Sequence, residues 1–128
     1  MQRLLFEAAW EKTIDARDRE EIEKVFEQVK EMKESRQSFF ILSQARNHRN
    51  DLLVTVLIQN GLETDWVLCG GKLTYYEANK LIATEVFSDK RLIVPAKCSM
   101  PWTFIFPESS VQQEPNFKKG TLQMFSQR

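Results

Sequence analysis

LIVPAKCSMPWTFIFP, residues 92–107, is the stretch whose reading decides the fold. Pro95, Pro101 and Pro107 fence it into short extended pieces. Between the last two prolines, Trp102, Phe104 and Phe106 fall on one side and Thr103 and Ile105 on the other. A period of two is strand geometry. An aromatic, β-branched run with proline only at its borders predicts a strand in the core of a small β domain. The stretch holds no nucleophile beside a base and no cluster of metal ligands.

Working outward, residues 52–60 (LLVTVLIQN) place Val54, Val56 and Ile58 on one face and Leu53, Thr55 and Leu57 on the other. So few polar positions predict a central strand covered on both faces. Residues 38–45 form the preceding strand, joined to it through the polar connection 46–51 as a hairpin. Asn60-Gly61 is a turn signal. Residues 66–69 form a short strand that ends at Gly70-Gly71. Strands at 73–77 and 81–87 flank Ala78-Asn79-Lys80 as a second hairpin. Residues 92–94 are extended, 108–116 form a loop, and 121–126 form the last strand.

Ahead of the strands lies one clear helix, residues 15–34. Ile22, Val25, Phe26, Val29 and Met32 recur at spacings of three and four, which makes one apolar stripe. Asp15 is its N-cap. Asp18, Glu20 and Glu21 come early, Lys30 and Lys33 late, and Arg36 follows, an order that complements the helix dipole. The stripe is narrow and the other faces are charged, so the helix is expected to pack on the chain's own sheet. Residues 1–14 read as an arm anchored by Trp10, and 15–128 as one domain.

The expected fold is mainly β: an immunoglobulin-like antiparallel sandwich of about seven strands with one N-terminal amphipathic helix. Absence of βαβ alternation excludes a doubly wound fold. Its expected core includes Trp102, Phe104, Phe106, Val54, Val56 and Phe26.

Composition agrees with a single globular domain. At 128 residues with 42% hydrophobic content the chain buries about two-thirds of its unfolded surface without a metal or disulfide. Eighteen basic and eighteen acidic residues cancel, which argues against nonspecific binding to nucleic acid. No stretch approaches the ~18 apolar residues of a membrane span. Near the start, Leu4, Leu5 and Phe6 are interrupted by Glu7, short of a signal peptide's apolar region. The expectation is a cytoplasmic protein, with the cell surface, reached by a route not encoded in this chain, as the alternative. Cys69 and Cys98 are expected to be free, mostly buried thiols.

The chemistry-bearing residues are few. His48 is the only histidine, with Asp51 nearby and nothing to fix their geometry. Arg46, His48 and Arg49, with Asn47 and Asn50, are the candidate partner-binding group, able to meet a phosphate or an acidic partner. Gly70-Gly71-Lys72 lacks the spacing of a phosphate loop. Two cysteines and one histidine make no zinc site. Glu20, Glu21, Glu23, Glu27, Glu31 and Glu34 form a solvated helix face. The expectation is therefore no catalysis, no cofactor and no metal. Two binding modes stand open. One is a protein partner, taken by strand addition at 38–45 or 120–126 as an edge, or a homo-oligomer. The other is a small ligand or carbohydrate stacked on Trp66, Tyr75 or Tyr76.

The stretches LLVTVLIQNGLETDWVL, KLIATEVF and LIVPAKCSMPWTFIFP together resemble the SLAP domain of Bacillus-type Firmicutes. The match rests on Pro101, Trp102, Thr103, Phe104, Phe106 and Pro107 against that family's "PWTFEFP" ending. Ile93-Val94-Pro95 matches its "IP" element, and Trp10-Glu11-Lys12 precedes the acidic helix as in the family. The resemblance runs over roughly residues 6–125. It implies a non-catalytic protein-interaction domain linked to an accessory Sec system and to S-layer or cell-surface assembly. The implied partner is a protein of export or surface-layer machinery. Family members tend to carry the domain in tandem within longer secretion-linked proteins, and this chain holds one copy.

Overall fold

In the computed structural model, residues 2–30 and 37–126 are described. Strand β1 (Arg3–Leu4) is followed by helices α1 (Ala8–Thr13) and α2 (Ala16–Val29). Then come β2 (Gln37–Arg46), β3 (Leu52–Asn60), β4 (Trp66–Val67), β5 (Gly71–Glu77) and β6 (Lys80–Phe87). The chain closes with β7 (Ile93–Val94), β8 (Cys98–Phe106) and β9 (Gly120–Ser126).

The alternation in 98–106 and 52–60 pairs these runs in the centre of a four-stranded sheet of order β1-β8-β3-β2. Val56 faces Trp102, Val54 faces Phe104 and Leu52 faces Phe106 across the antiparallel ladder. Their shared face, fully or almost fully buried, is the main core. A second sheet of order β6-β5-β9 packs over it with Leu73, Tyr75, Ala83 and Leu122. Phe87 sits 5.2 Å from Phe104 and 5.1 Å from Phe106 between ring centroids, and locks the two layers with tilted and edge-on aromatic contacts. A short ribbon, β4 with β7, caps one end. The result is the β-sandwich expected from sequence, curled toward a half-barrel.

The other face of the four-stranded sheet carries the helices. Ile22 and Val29 of α2 pack against Leu57, whose parity in β3 is opposite to that of Val54 and Val56. The strand is thus covered on both sides, as its apolar character requires. Asp15 caps α2 by accepting from the backbone N–H groups of Arg17 and Asp18, at 2.7 and 3.3 Å. Phe26 is only half-buried, beside this smaller cluster rather than in the main core. The readings of Glu31, Met32, Lys33, Glu34 and Arg36 lie outside the described residues.

Three details differ from the sequence reading. Among the described residues two α-helices precede β2 rather than one, because Glu7 caps a six-residue helix at Ala8–Thr13. Residues 3–4 are not loose arm but a parallel strand on β8, with Arg3 opposite Cys98. Cys98 is buried as expected, but Cys69 is exposed, since it follows the short β4 into a surface turn.

Candidate functional site

Sheet edges are where a β fold meets other chains, because they carry main-chain donors and acceptors that no neighbouring strand uses. Here the two sheets approach along two flanks. On one flank β6 is covered. Val111 bridges Ala83, the Gln112 N–H donates to the Ile82 carbonyl at 2.7 Å, and Gln113 Nε2 donates to the Leu81 carbonyl at 3.0 Å. On the opposite flank β2 and β9 are the outer strands of their sheets. Among the described residues no main-chain hydrogen bond joins them.

Between them runs an open cleft of about 890 Å³, lined by residues 37–41 of β2 and 120–124 of β9. Its apolar base is continuous with the main core through Phe39, Ile41, Leu122 and Met124. Phe39 is held there by edge-on contacts to Trp66 and Phe104. Phe40, on the alternate side, is exposed. A bulge between Ile41 and Ser43 ends the regular part of the β2 edge. Leu42, the extra residue of the bulge, packs with the α2 cluster on the face opposite Phe39 and Ile41.

One end of the cleft is shut by a buried polar network. Gln44 Nε2 donates to the Tyr75 hydroxyl at 3.1 Å, and that hydroxyl donates to Glu77 Oε2 at 2.7 Å. The same carboxylate accepts from the Asn116 and Phe117 N–H groups at 2.8 and 2.9 Å. Burial, and next the Glu77 carboxylate, hold the Tyr75 hydroxyl well above the usual tyrosine range. Gly120 fits against this network because it has no side chain. A Cβ there would lie 2.6 Å from the Tyr75 hydroxyl and 2.7 Å from Gln44 Nε2. A signal for Glu77 was present in the sequence. In KLTYYE, Leu73, Tyr75 and Glu77 share one face, so the carboxylate follows two core residues inward.

The candidate group at the β2–β3 turn is dispersed. Arg46 donates to the Asn50 carbonyl at 2.8 and 3.2 Å and forms a two-pronged pair with Glu114 at 3.1 and 3.2 Å. Its charge is thereby matched within the fold. His48 and Arg49 are exposed on the turn, which Asn47 builds by accepting from the Arg49 and Asp51 N–H groups. The structure therefore sets Arg46 apart from His48 and Arg49 in role. Among the aromatic residues considered for stacking, Trp66 and Tyr75 are core and Tyr76 is half-buried. An exposed platform of these three is not formed, because β4 and β5 turn Trp66 and Tyr75 into the sandwich. Elsewhere Asp89, gripped by Arg91 at 2.8 and 3.1 Å, is held below the usual carboxylate range. That pair fastens a turn.

A second cleft, of about 740 Å³, lies between the helices and the outer face of the first sheet. Its rim includes Asp15, which is committed to capping α2. Among the described residues, no group of three or more His, Cys, Asp or Glu is placed to hold a metal ion. No helix of the described chain is long and apolar enough to cross a membrane.

The class these features define is a mainly β sandwich domain with an uncovered pair of edges. More particularly, the chain belongs to the SLAP domain family, whose model matches residues 4–126. No curated protein and no solved structure matches the chain.

Proposed function

We propose that this chain is a non-catalytic protein-interaction domain that serves accessory secretion or S-layer and cell-surface assembly. Membership of the SLAP family supports the setting. The observation that carries the interaction reading is how the buried polar side chains are used. A catalytic group needs hydrogen-bonding capacity left over for a substrate. Here, among the described residues, every buried side-chain nitrogen and oxygen already has a partner. Gln59 holds the Val29 carbonyl of α2 at 3.0 Å, Asn60 holds the Val94 carbonyl at 2.9 Å, and Ser99 donates to Gln2 at 2.7 Å. These groups serve as joints of the scaffold, and the reading therefore looks to the sheet edges and the turn that bears His48 and Arg49.

The folded domain used as bait in its native host is expected to capture proteins of the export or surface-layer machinery. Arg46→Ala and Arg49→Ala baits report whether the turn takes part. Recovery of neither class of protein overturns the reading.

A further inference from the structure

The two flanks differ in more than hydrogen bonding. Natural sheets blunt a free edge with charge, proline, a bulge or a cover. Strand β6 has Lys80 and Glu85 within it and the strip 111–113 over it. Residues 37–45 and 120–126 contain no Asp, Glu, Lys, Arg or Pro, in a chain where 28% of residues are charged. The bulge at Ile41/Ser43 leaves 37–41 regular. Among the described residues, two edges free of charge, proline and cover thus line one cleft, each bulged only at one end, with an apolar base and an uncharged rim.

We propose that this cleft receives an extended, uncharged segment of a partner protein as an added strand. The proposal rests on the protein-interaction reading above and names the surface and the chemistry of the partner. Main-chain groups of one edge, 37–41 of β2 or 121–124 of β9, supply the hydrogen bonds, and Phe39, Ile41, Leu122 and Met124 receive alternate apolar side chains of the guest. Five residues on each wall match a guest strand of about 17 Å. A flexible segment fits better than a second folded copy. A strand already inside another sheet brings its neighbours with it, and the cleft has a wall on both sides. An uncharged rim favours an uncharged guest, since a charge brought against an apolar base loses its water without a partner.

The test uses the full chain and a capped peptide of about eight residues that alternates Thr or Ser with Val or Ile. Its controls are the same sequence N-methylated at alternate backbone nitrogens, and one with a central Pro. Hydrogen exchange followed by NMR is expected to slow at least tenfold for alternate amides in 37–41, 121–124 or both when the first peptide is added. Both controls are expected to have no such effect. Absence of protection at millimolar peptide, or equal protection by the N-methylated peptide, overturns the proposal. Concentration-dependent protection of the same amides without peptide, alongside a dimer in sedimentation, overturns it in favour of a second copy. If the peptide fails while the domain still captures its host partner, the cleft assignment falls and the interaction reading stands. If capture fails too, both fall.

Discussion

The covered flank and the open flank are built from the same kinds of strand and finished in opposite ways. At β6 the chain spends residues 111–113 on closing the edge, immediately after β8 has delivered the aromatic core. At β2 and β9 it leaves two apolar edges side by side and, among the described residues, fastens one end through Gln44, Tyr75 and Glu77. The first flank is closed by hydrogen bonds to the β6 edge, and the second, among the described residues, has no such cover. The lesson is that an edge is a property of topology as much as of composition. The same apolar alternation is core when a neighbour pairs with it and surface when none does.

Four substitutions probe that division. The largest effect belongs to the core strand behind the covered flank. Trp102→Ala is expected to cost about 3–5 kcal/mol in urea unfolding, through lost burial and the cavity left behind. An unchanged unfolding curve would remove Trp102 from the core and dissolve the contrast. Next is the fastening. Tyr75→Phe removes a buried hydroxyl bound to a carboxylate and is expected to cost about 1.5–3 kcal/mol at neutral pH. It also changes the pH dependence. Because the folded Tyr75 holds its proton above its ordinary value, its contribution is fully present below pH ~10. Above that the unfolded chain ionises first, so wild-type stability falls as pH rises, and Tyr75→Phe should flatten the fall. Unfolding curves at pH ~8 and ~11 give the comparison.

Gly120→Ala comes third. The added methyl meets the Tyr75 ring and Gln44, so roughly 1–3 kcal/mol is expected, with faster amide exchange where β9 meets β2. Ordinary stability with unchanged exchange would mean that the fastening yields without cost. The smallest effect belongs to the open edge itself. Phe40→Lys, at an exposed position, should move stability by no more than about 0.5 kcal/mol. A loss several times larger, measured by thermal unfolding, would show that the edge already serves the core.

Much of this architecture is legible in residues alone where local pattern and burial coincide. The alternation in 98–106 and 52–60 found β8 and β3, and Asp15 with the Ile22–Val29 spacing found α2. Local pattern failed at the N-terminus. Strand β1 is two residues long and exists because β8 offers it an edge, and α1 is too short for propensity to decide. The strands 38–45 and 120–126 were readable as possible edges, yet their standing side by side is set by sheet order. Arg46 looked like free charge because Glu114, its partner, lies far away in sequence. The inward face of Glu77 is readable from Leu73 and Tyr75, yet its donors at 116 and 117 arrive from a loop that local pattern does not place.

The pairing of β1 with β8 bears on the order in which the molecule can be assembled. The Arg3 and Leu5 N–H groups donate to the Lys97 and Ser99 carbonyls at 3.1 and 2.8 Å, and Gln2 meets Ser99 across a separation of 97 positions. The residues of β1 therefore wait for β8, late in the domain, before their own pairing exists. Such long-range closure slows folding relative to local contacts. The four-stranded sheet is complete only once β8 is present, so until then the growing domain carries an unfinished sheet.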